Sequence, residues 1–334
     1  GFEAGLLNER VGLELTYFNK KGTDVILSRP LPSSAGFIQN QLVNIGQVSN
    51  AGFEVAANAL VFTSDHVSWN VRLGFNTLKS EVVDLGGIEA YSSGWAQQVE
   101  QGYEANSFFT RQVTHFILSS SDPNAGVCST DSNGDIIPCA IVTNEPTFKG
   151  HYLPTFEGNV SQQLTLFRNL RLYAQLDWKN NFMIYNNTDQ FRERQFGQGE
   201  RWVRRNDPSF NLAPEDRIRR FGPFFEADLD ANGNPTGTYS PVSAGSVDDA
   251  YVEPGDFTRL REVSLSYTLP HALMRYMRTS ASATLTVGGR NLALWSKYSG
   301  PDPEVGLYLS NDRREDFLTL PQGRTFFARL SFQF

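Results

Sequence analysis

The sequence predicts an all-β protein, a transmembrane antiparallel β-barrel, on three observations. Apolar and polar side chains alternate with a strict period of two, the alternating segments are unusually long, and the connections between them are short and long in turn. Val67, Trp69, Val71, Leu73 and Phe75 alternate with Ser68, Asn70, Arg72, Gly74 and Asn76. Leu170, Leu172, Ala174, Leu176 and Trp178 alternate with Arg171, Tyr173, Gln175, Asp177 and Lys179, and Val263, Leu265, Tyr267 and Leu269 with Glu262, Ser264, Ser266 and Thr268. Successive side chains of a strand point to opposite faces, so each segment has one apolar and one polar face.

Taken in order, the strands fall near residues 10–27, 46–62, 67–83, 150–168, 170–186, 256–269, 281–297 and 323–334. Several reach about 15 residues, against about five or six in globular proteins, and crossing a bilayer takes about 9–11. Short turns join the pairs at 62–66, 168–170 and around 270–280, while 28–45, 84–149, 187–255 and 298–322 are long. Short turns at one end and long loops at the other are the pattern of an outer-membrane barrel, with the turns in the periplasm and the loops outside. That parity places the final residue, Phe334, on the periplasmic side. The last strand sets Phe326, Ala328, Leu330, Phe332 and Phe334 on one face. A terminal Phe after such alternation is similar to the signal read by the barrel assembly machinery.

Composition agrees. Aromatic residues make up 13% and charged residues only 19%, yet no run approaches the roughly 18 apolar residues of a spanning helix. A chain of this kind that spans a membrane does so by strands. A secreted β-sandwich or propeller, such as a carbohydrate-binding or structural module, remains open on composition alone. The net charge of −7 argues against nucleic acid, which requires clustered Lys and Arg. Cys128 and Cys139, eleven positions apart, suit a disulfide in an oxidising compartment, with two free thiols as the alternative. The chain opens at Gly1 without a basic or apolar leader, so either a targeting segment was removed or the chain begins within a longer protein.

Four ordered motifs carry a family resemblance. Residues 289–304 run Gly-Arg290-Asn291-Leu292-Ala-Leu-Trp-Ser-Lys-Tyr298-Ser-Gly300-Pro301-Asp302-Pro303-Glu304. Ahead of them stand Asn44-Ile45-Gly46-Gln47-Val48-Ser49-Asn50-Ala51-Gly52-Phe53-Glu54 and Gly255-Asp256-Phe257-Thr258-Arg259-Leu260-Arg261-Glu262, and behind them the terminal strand from Arg324 to Phe334. Together these resemble the SusC/RagA-type TonB-linked outer-membrane proteins over essentially the whole chain. The resemblance implies a 22-stranded barrel, of which these are the last eight strands. It also implies a plug domain and a TonB-contacting segment outside residues 1–334. The implied activity is energy-coupled import of oligosaccharides or oligopeptides, with a SusD-like surface lipoprotein as lid. Outer-membrane lipid, the TonB complex and the assembly machinery are then the other partners.

No catalytic constellation is legible. His66, His115, His151 and His271 are widely spaced, and no nucleophile stands beside a placed base, so no enzyme activity is expected. Asp228, Asp230 and Asn232 open a half-match to a calcium loop, but the twelfth position is Tyr239, where a bidentate Glu belongs. Asp131-Ser132-Asn133-Gly134-Asp135 is a weaker copy. Asn-Gly is equally a hairpin pair, so a tight turn is the competing reading. Otherwise no cofactor is expected.

Residues 192–220 interleave eight arginines with acidic and aromatic residues. They read as a solvated mixed-charge loop or as a contact surface for a lid protein or anionic lipopolysaccharide. Tyr91, Trp95, Tyr103, Phe108, Phe109 and Tyr308 are loop aromatics that either stack on substrate or fold their loops. On the strands, Glu54, Asn58, Arg72, Gln163, Gln175, Asp177, Lys179, Glu262, Arg290 and Arg329 are expected to line a hydrated lumen. Tyr17, Trp69, Phe75, Trp178, Tyr267, Trp295 and Phe332 are expected to meet lipid.

Overall fold

Long alternating segments joined by tight turns can satisfy their backbone only by pairing with their sequence neighbours, and they do. The computed structural model describes residues 1–29, 36, 41–44, 46–194, 213–270, 282–304 and 314–333. Nine strands form a continuous antiparallel meander: β1 (Phe2–Leu6), β2 (Val11–Thr23), β3 (Gln47–Thr63), β4 (Val67–Thr77), β5 (Phe156–Leu166), β6 (Leu170–Asn180), β7 (Phe257–Thr268), β8 (Ser282–Ser296) and β9 (Thr325–Gln333). The sheet is open, with β1 and β9 at its edges.

The eight expected strands are present with tighter bounds, and β1 is an addition. Five residues are too few for alternation to register, yet Phe2, Ala4 and Leu6 pair with Leu15, Leu13 and Val11 across a turn at Leu7, Asn8 and Glu9, all at positive φ. The expected 67–83 strand is two pieces. After Leu78 the chain resumes as Lys79–Asp84 and pairs with the upper part of β3. Turns at 64–66 and 167–169 close the same end as the β1–β2 turn. Ser64 Oγ accepts from the amide of Val67 at the first, and Phe167 and Arg168 take positive φ at the second. The third expected turn and Phe334 lie outside the described residues.

Register confirms the two faces. Arg72, Ser161, Gln175, Glu262 and Arg290 follow one another across β4 to β8, so they share one face. Phe75, Gly158, Trp178, Thr258 and Trp295 follow one another on the other. Trp69, Leu73, Leu172, Leu265, Leu285, Val287 and Leu330 remain exposed, which is an apolar surface laid toward an apolar medium. The polar face knits itself laterally. Asn76 and Lys179 both bind Glu157, Arg290 binds Glu262, and Ser266 meets Thr286.

Among the described residues, the clusters of buried hydrophobic side chains therefore lie where the chain leaves the wall. The long connections carry, among the described residues, two four-stranded sheets, two two-stranded sheets and two α-helices, α1 (Asn187–Arg194) and α2 (Pro214–Phe221). Phe108, Tyr185, Tyr251 and Val252 are buried in one cluster, and Ala140, Val142, Ile218, Phe224 and Val247 in another. Cys128 and Cys139 are joined with Cα atoms 5.7 Å apart and pack on Ile117, which staples the sheet formed by Val113–Ile117 and Cys139–Val142.

Gly52 marks where β3 and the break after β4 come closest. A Cβ there would lie 2.0 Å from the carbonyl oxygen of Thr77. Gly52→Ala is expected to destabilise the wall by about 1–3 kcal/mol. It should lower the temperature at which the full-length protein loses its fast-migrating folded form on a gel; an unchanged temperature would contradict the packing described.

Candidate functional site

The polar face carries one dense charge cluster, and it begins with a break in alternation. In β7 the run Arg259-Leu260-Arg261-Glu262 cannot obey a period of two and still put Arg259 and Glu262 on one face. A β-bulge resolves it: Leu176 pairs with Leu260 and Gln175 with Glu262, leaving Arg261 extra. Beside it, β8 carries a matching irregularity between Arg290 and Ala293, where Asn291 takes φ 53°. The bulge thus delivers both arginines to the polar side of the wall.

There they grip the last long loop. Arg259 Nη2 donates to Asp302 Oδ1 at 2.5 Å, and its Nε lies 3.2 Å from Glu304 Oε2. Arg261 donates from Nη1 and Nη2 to the two oxygens of Glu304, at 3.1 and 3.0 Å, and from Nε to Asp177 Oδ2 at 2.6 Å. Gln322 joins the far side of the loop, its side chain donating to Glu304 and its amide to Asp302 Oδ2. Asn291 Nδ2 donates to the carbonyl of Gly323. Arg259 is 2% exposed and Asp302 1%. Arg259 and Asp302 form an ion pair this dry only at the cost that removing either partner strands the other charge, while Arg261 meets Glu304 in the two-pronged form.

The remaining signature residues serve the same anchorage. Tyr298 is buried and its hydroxyl donates to Asp316 Oδ2 at 2.9 Å. Its ring lies over Gly300, where a Cβ would sit 2.4 Å from Tyr298 Cε1. Pro303 is buried and Pro301 exposed, Leu292 packs beside Gly289, and Arg290 stacks on Phe327 besides binding Glu262. Asp316 also accepts from Thr188 at the start of α1 and from Thr319, tying the end of the loop to the next layer.

Arg314 was not legible in the sequence at all. It is 1% exposed, its guanidinium lies 4.3 Å from the Phe182 ring and 5.6 Å from that of Tyr152, and among the described residues none of its three nitrogens has a hydrogen-bond partner. Burial pushes it down to about 10, opposed by Tyr152, Glu104 and Glu157. It stays charged at neutral pH, so its cation is carried by ring faces and more distant carboxylates.

The other sequence candidates are placed as follows. Asp230 and Asn232 form the tip of a hairpin between strands Phe224–Leu229 and Pro235–Val242, where Asp230 Oδ1 already accepts the amides of Asn232 and Asn234, while Asp228 lies in the first strand and accepts from Ser240 Oγ. Asp131 does the same for Asn133 and Asp135. Among the described residues no group of three metal-ligating side chains occurs. Phe108 and Phe109 are buried, and Tyr103 packs on Phe109 and Phe148. Burial raises the Tyr91 phenol. Trp95 is 47% exposed and lies parallel to buried Tyr185. In the arginine-rich segment Arg219 binds Asp249, and Arg220 lies over Tyr251 and 3.5 Å from Asp189. Residues 195–212 of that segment and Tyr308 lie outside the described residues.

No family model matches the chain. It is 28% identical to TonB-dependent receptor P26 of Formosa agariphila over 325 residues, covering 90% of this chain and 30% of that protein. It is 27% identical to TonB-dependent receptor SusC of Bacteroides thetaiotaomicron over 128 residues, 34% of this chain and 13% of the other. Among solved structures, the RagAB peptide importer in its closed-closed state superposes with a TM-score of 0.69 at 20% identity, over 98% of this chain and 34% of that one. The chain thus spans about a third of the length of the relatives matched along most of it.

Two outcomes test the cluster. Arg259→Met leaves Asp302 buried and unpaired, which costs about 3–5 kcal/mol, and amide exchange over 298–304 should accelerate. Adding Asp302→Leu should restore much of the protection, and failure of that rescue would refute the pairing. At the hairpin tip, the amides of Asn234 and then Asn232 hold the Asp230 carboxyl below its usual range. A depressed carboxylate stabilises above its unfolded value and loses that support as pH falls through the folded one. The Asp230 carboxyl should therefore titrate at lower pH in the folded protein than in an unstructured peptide of the same sequence, as followed by its side-chain resonances; a midpoint at or above that of the peptide would contradict this.

Proposed function

We propose that this chain, a SusC/RagA-type TonB-dependent receptor by its relatives and its fold, forms part of the wall and outer mouth of an energy-coupled importer in a bacterial outer membrane. The observation that carries the reading is the register of strands β4 to β8, which keeps Arg72, Gln175, Glu262 and Arg290 on one face and exposed leucines, valines and tryptophans on the other. Such a sheet suits a boundary between hydrocarbon and a hydrated lumen.

The wall does no chemistry on its cargo. Its inner face offers hydrogen bonds and charges to whatever occupies the lumen, and the Arg259–Arg261 cluster holds the last loop against the mouth. The cargo is an oligosaccharide or oligopeptide, captured under a SusD-like lipoprotein. Transport is powered by the TonB complex acting on a plug, with plug and TonB-contacting segment in the remainder of the receptor. The last strand directs insertion by the assembly machinery.

The full-length receptor should fractionate with the outer membrane and migrate differently before and after boiling. Cells carrying it should take up labelled oligopeptides or oligosaccharides in a manner abolished by a protonophore. A soluble protein whose mobility ignores boiling would point to a secreted β-rich module and sink the proposal. Arg261→Ala, which frees Glu304, is expected to reduce uptake several-fold with surface abundance unchanged. Undiminished uptake would separate the cluster from transport.

A further inference from the structure

Two buried arginines meet the last long loop, and they are satisfied in different ways. Arg259 is paired with Asp302 and Glu304. Arg314, further along, is 1% exposed, and among the described residues its three nitrogens have no hydrogen-bond partner. The Phe182 ring, 4.3 Å away, and the Tyr152 ring answer its charge but not its N–H donors. The carboxylates that act on it through space, Glu104 and Glu157, are committed elsewhere. Glu104 accepts the amides of Tyr152 at 3.0 Å and Leu153 at 3.2 Å, and Glu157 is held by Asn76 at 2.8 Å and Lys179 at 3.1 Å.

A buried guanidinium with carboxylate partners is costly to remove, because the partners are stranded. One whose donors are empty regains hydrogen bonds from water as it leaves, so its seated and released states lie closer in free energy. The backbone around Arg314 supplies a pivot. The Arg314 carbonyl accepts the amide of Tyr185 at 3.1 Å. Asp316, two residues on, is bound by Tyr298, Thr188 and Thr319, and its amide donates to the Tyr185 carbonyl. Swinging Arg314 outward about Asp316 gives up the hydrogen bond from Tyr185 and the ring contacts, and it leaves the Asp316 anchorage whole. Glu104 connects this seat to open space, because it also lines a cavity of about 440 Å³ with Tyr103, Phe148, His151 and Asn181.

We propose that Arg314 is a releasable latch in the loop layer. Its guanidinium leaves the slot between Phe182 and Tyr152 by rotation of the chain about Asp316, and the charge of Glu104 in the cavity wall sets how firmly it is held. The Arg259 cluster is a fixed clamp by comparison, so the last loop is pinned at Asp302 and Glu304 and releasable at Arg314. Whatever offsets the charge of Glu104 from the cavity side loosens the latch, which couples the cavity to the loop. The inference stands on the packing of the loops and goes beyond the import reading.

Residue-resolved amide exchange on the full-length receptor in lipid nanodiscs reads the latch directly. In the wild type, corrected for intrinsic rates, the Tyr185 amide should be roughly tenfold less protected than that of Asn186, which bonds the Tyr251 carbonyl in the same layer. Arg314→Met keeps the packing on Phe182 and removes the donors, so it should slow exchange at Tyr185 roughly fivefold. Glu104→Gln should speed exchange at Tyr185 by about the same factor, and it should have no effect in the Arg314→Met background. Equal protection of Tyr185 and Asn186 in the wild type, or faster or unchanged exchange in Arg314→Met, would overturn the latch. An effect of Glu104→Gln that persists beside Arg314→Met would show that Glu104 acts through packing, and would overturn its part in the proposal. None of these measurements depends on transport. Absent uptake would therefore refute the import reading and leave the latch standing, while the exchange results above would refute the latch alone.

Discussion

A backbone that crosses hydrocarbon has nowhere to send its N–H and C=O groups except to a neighbouring strand, and the organisation of this chain follows from that. Each of the seven inner strands is bonded on both flanks and each edge strand on one, and so the two faces of the sheet are free to differ. One face becomes a polar sheet whose residues bind each other, as Glu157 does with Asn76 and Lys179. The other keeps Trp69, Leu265 and Leu330 exposed, and a water-soluble sheet would have had to cover them. Because both faces of the wall are spoken for, the buried core is displaced into the long connections, where the hydrophobic effect can act in the ordinary way.

That displacement explains the form of the loops. Connections of this length without structure would carry unsatisfied backbone and large ordering costs. Here they close small sheets around Tyr185, Phe224 and Val82, and a disulfide fixes one of them. The helices supply basic side chains to buried carboxylates, as Arg219 does for Asp249. The Arg259–Arg261 cluster is the joint between the two regimes. It lies at the end of a wall strand, faces inward, and takes its counter-charges from the last loop. The bulge that creates it sacrifices one position of a strand ladder to set two guanidinium groups side by side.

Arg314 is a buried cation whose nitrogens have no hydrogen-bond partner among the described residues. It is enclosed by rings and distant carboxylates, so the cost of its charge is met within the chain.

Strand identity, the two faces and the alternation of turns and loops were legible from sequence alone, because a period of two is a property of the backbone and needs no knowledge of neighbours. Motif spacing likewise carried the family resemblance. The first strand was missed because five residues are too short a sample of that period. The structure within the loops escaped because their sheets pair segments far apart in sequence, such as Cys139–Val142 with Phe224–Leu229. The meeting of Arg259 and Arg261 with Asp302 and Glu304 was a matter of tertiary structure too. The Arg-Leu-Arg-Glu run signals that alternation must break, but which carboxylates answer it depends on how the last loop folds back over the wall. Sequence determined which side chains share a face; only the folded chain decided which of them touch, since contact across strands and loops is set by register and closure rather than by local period.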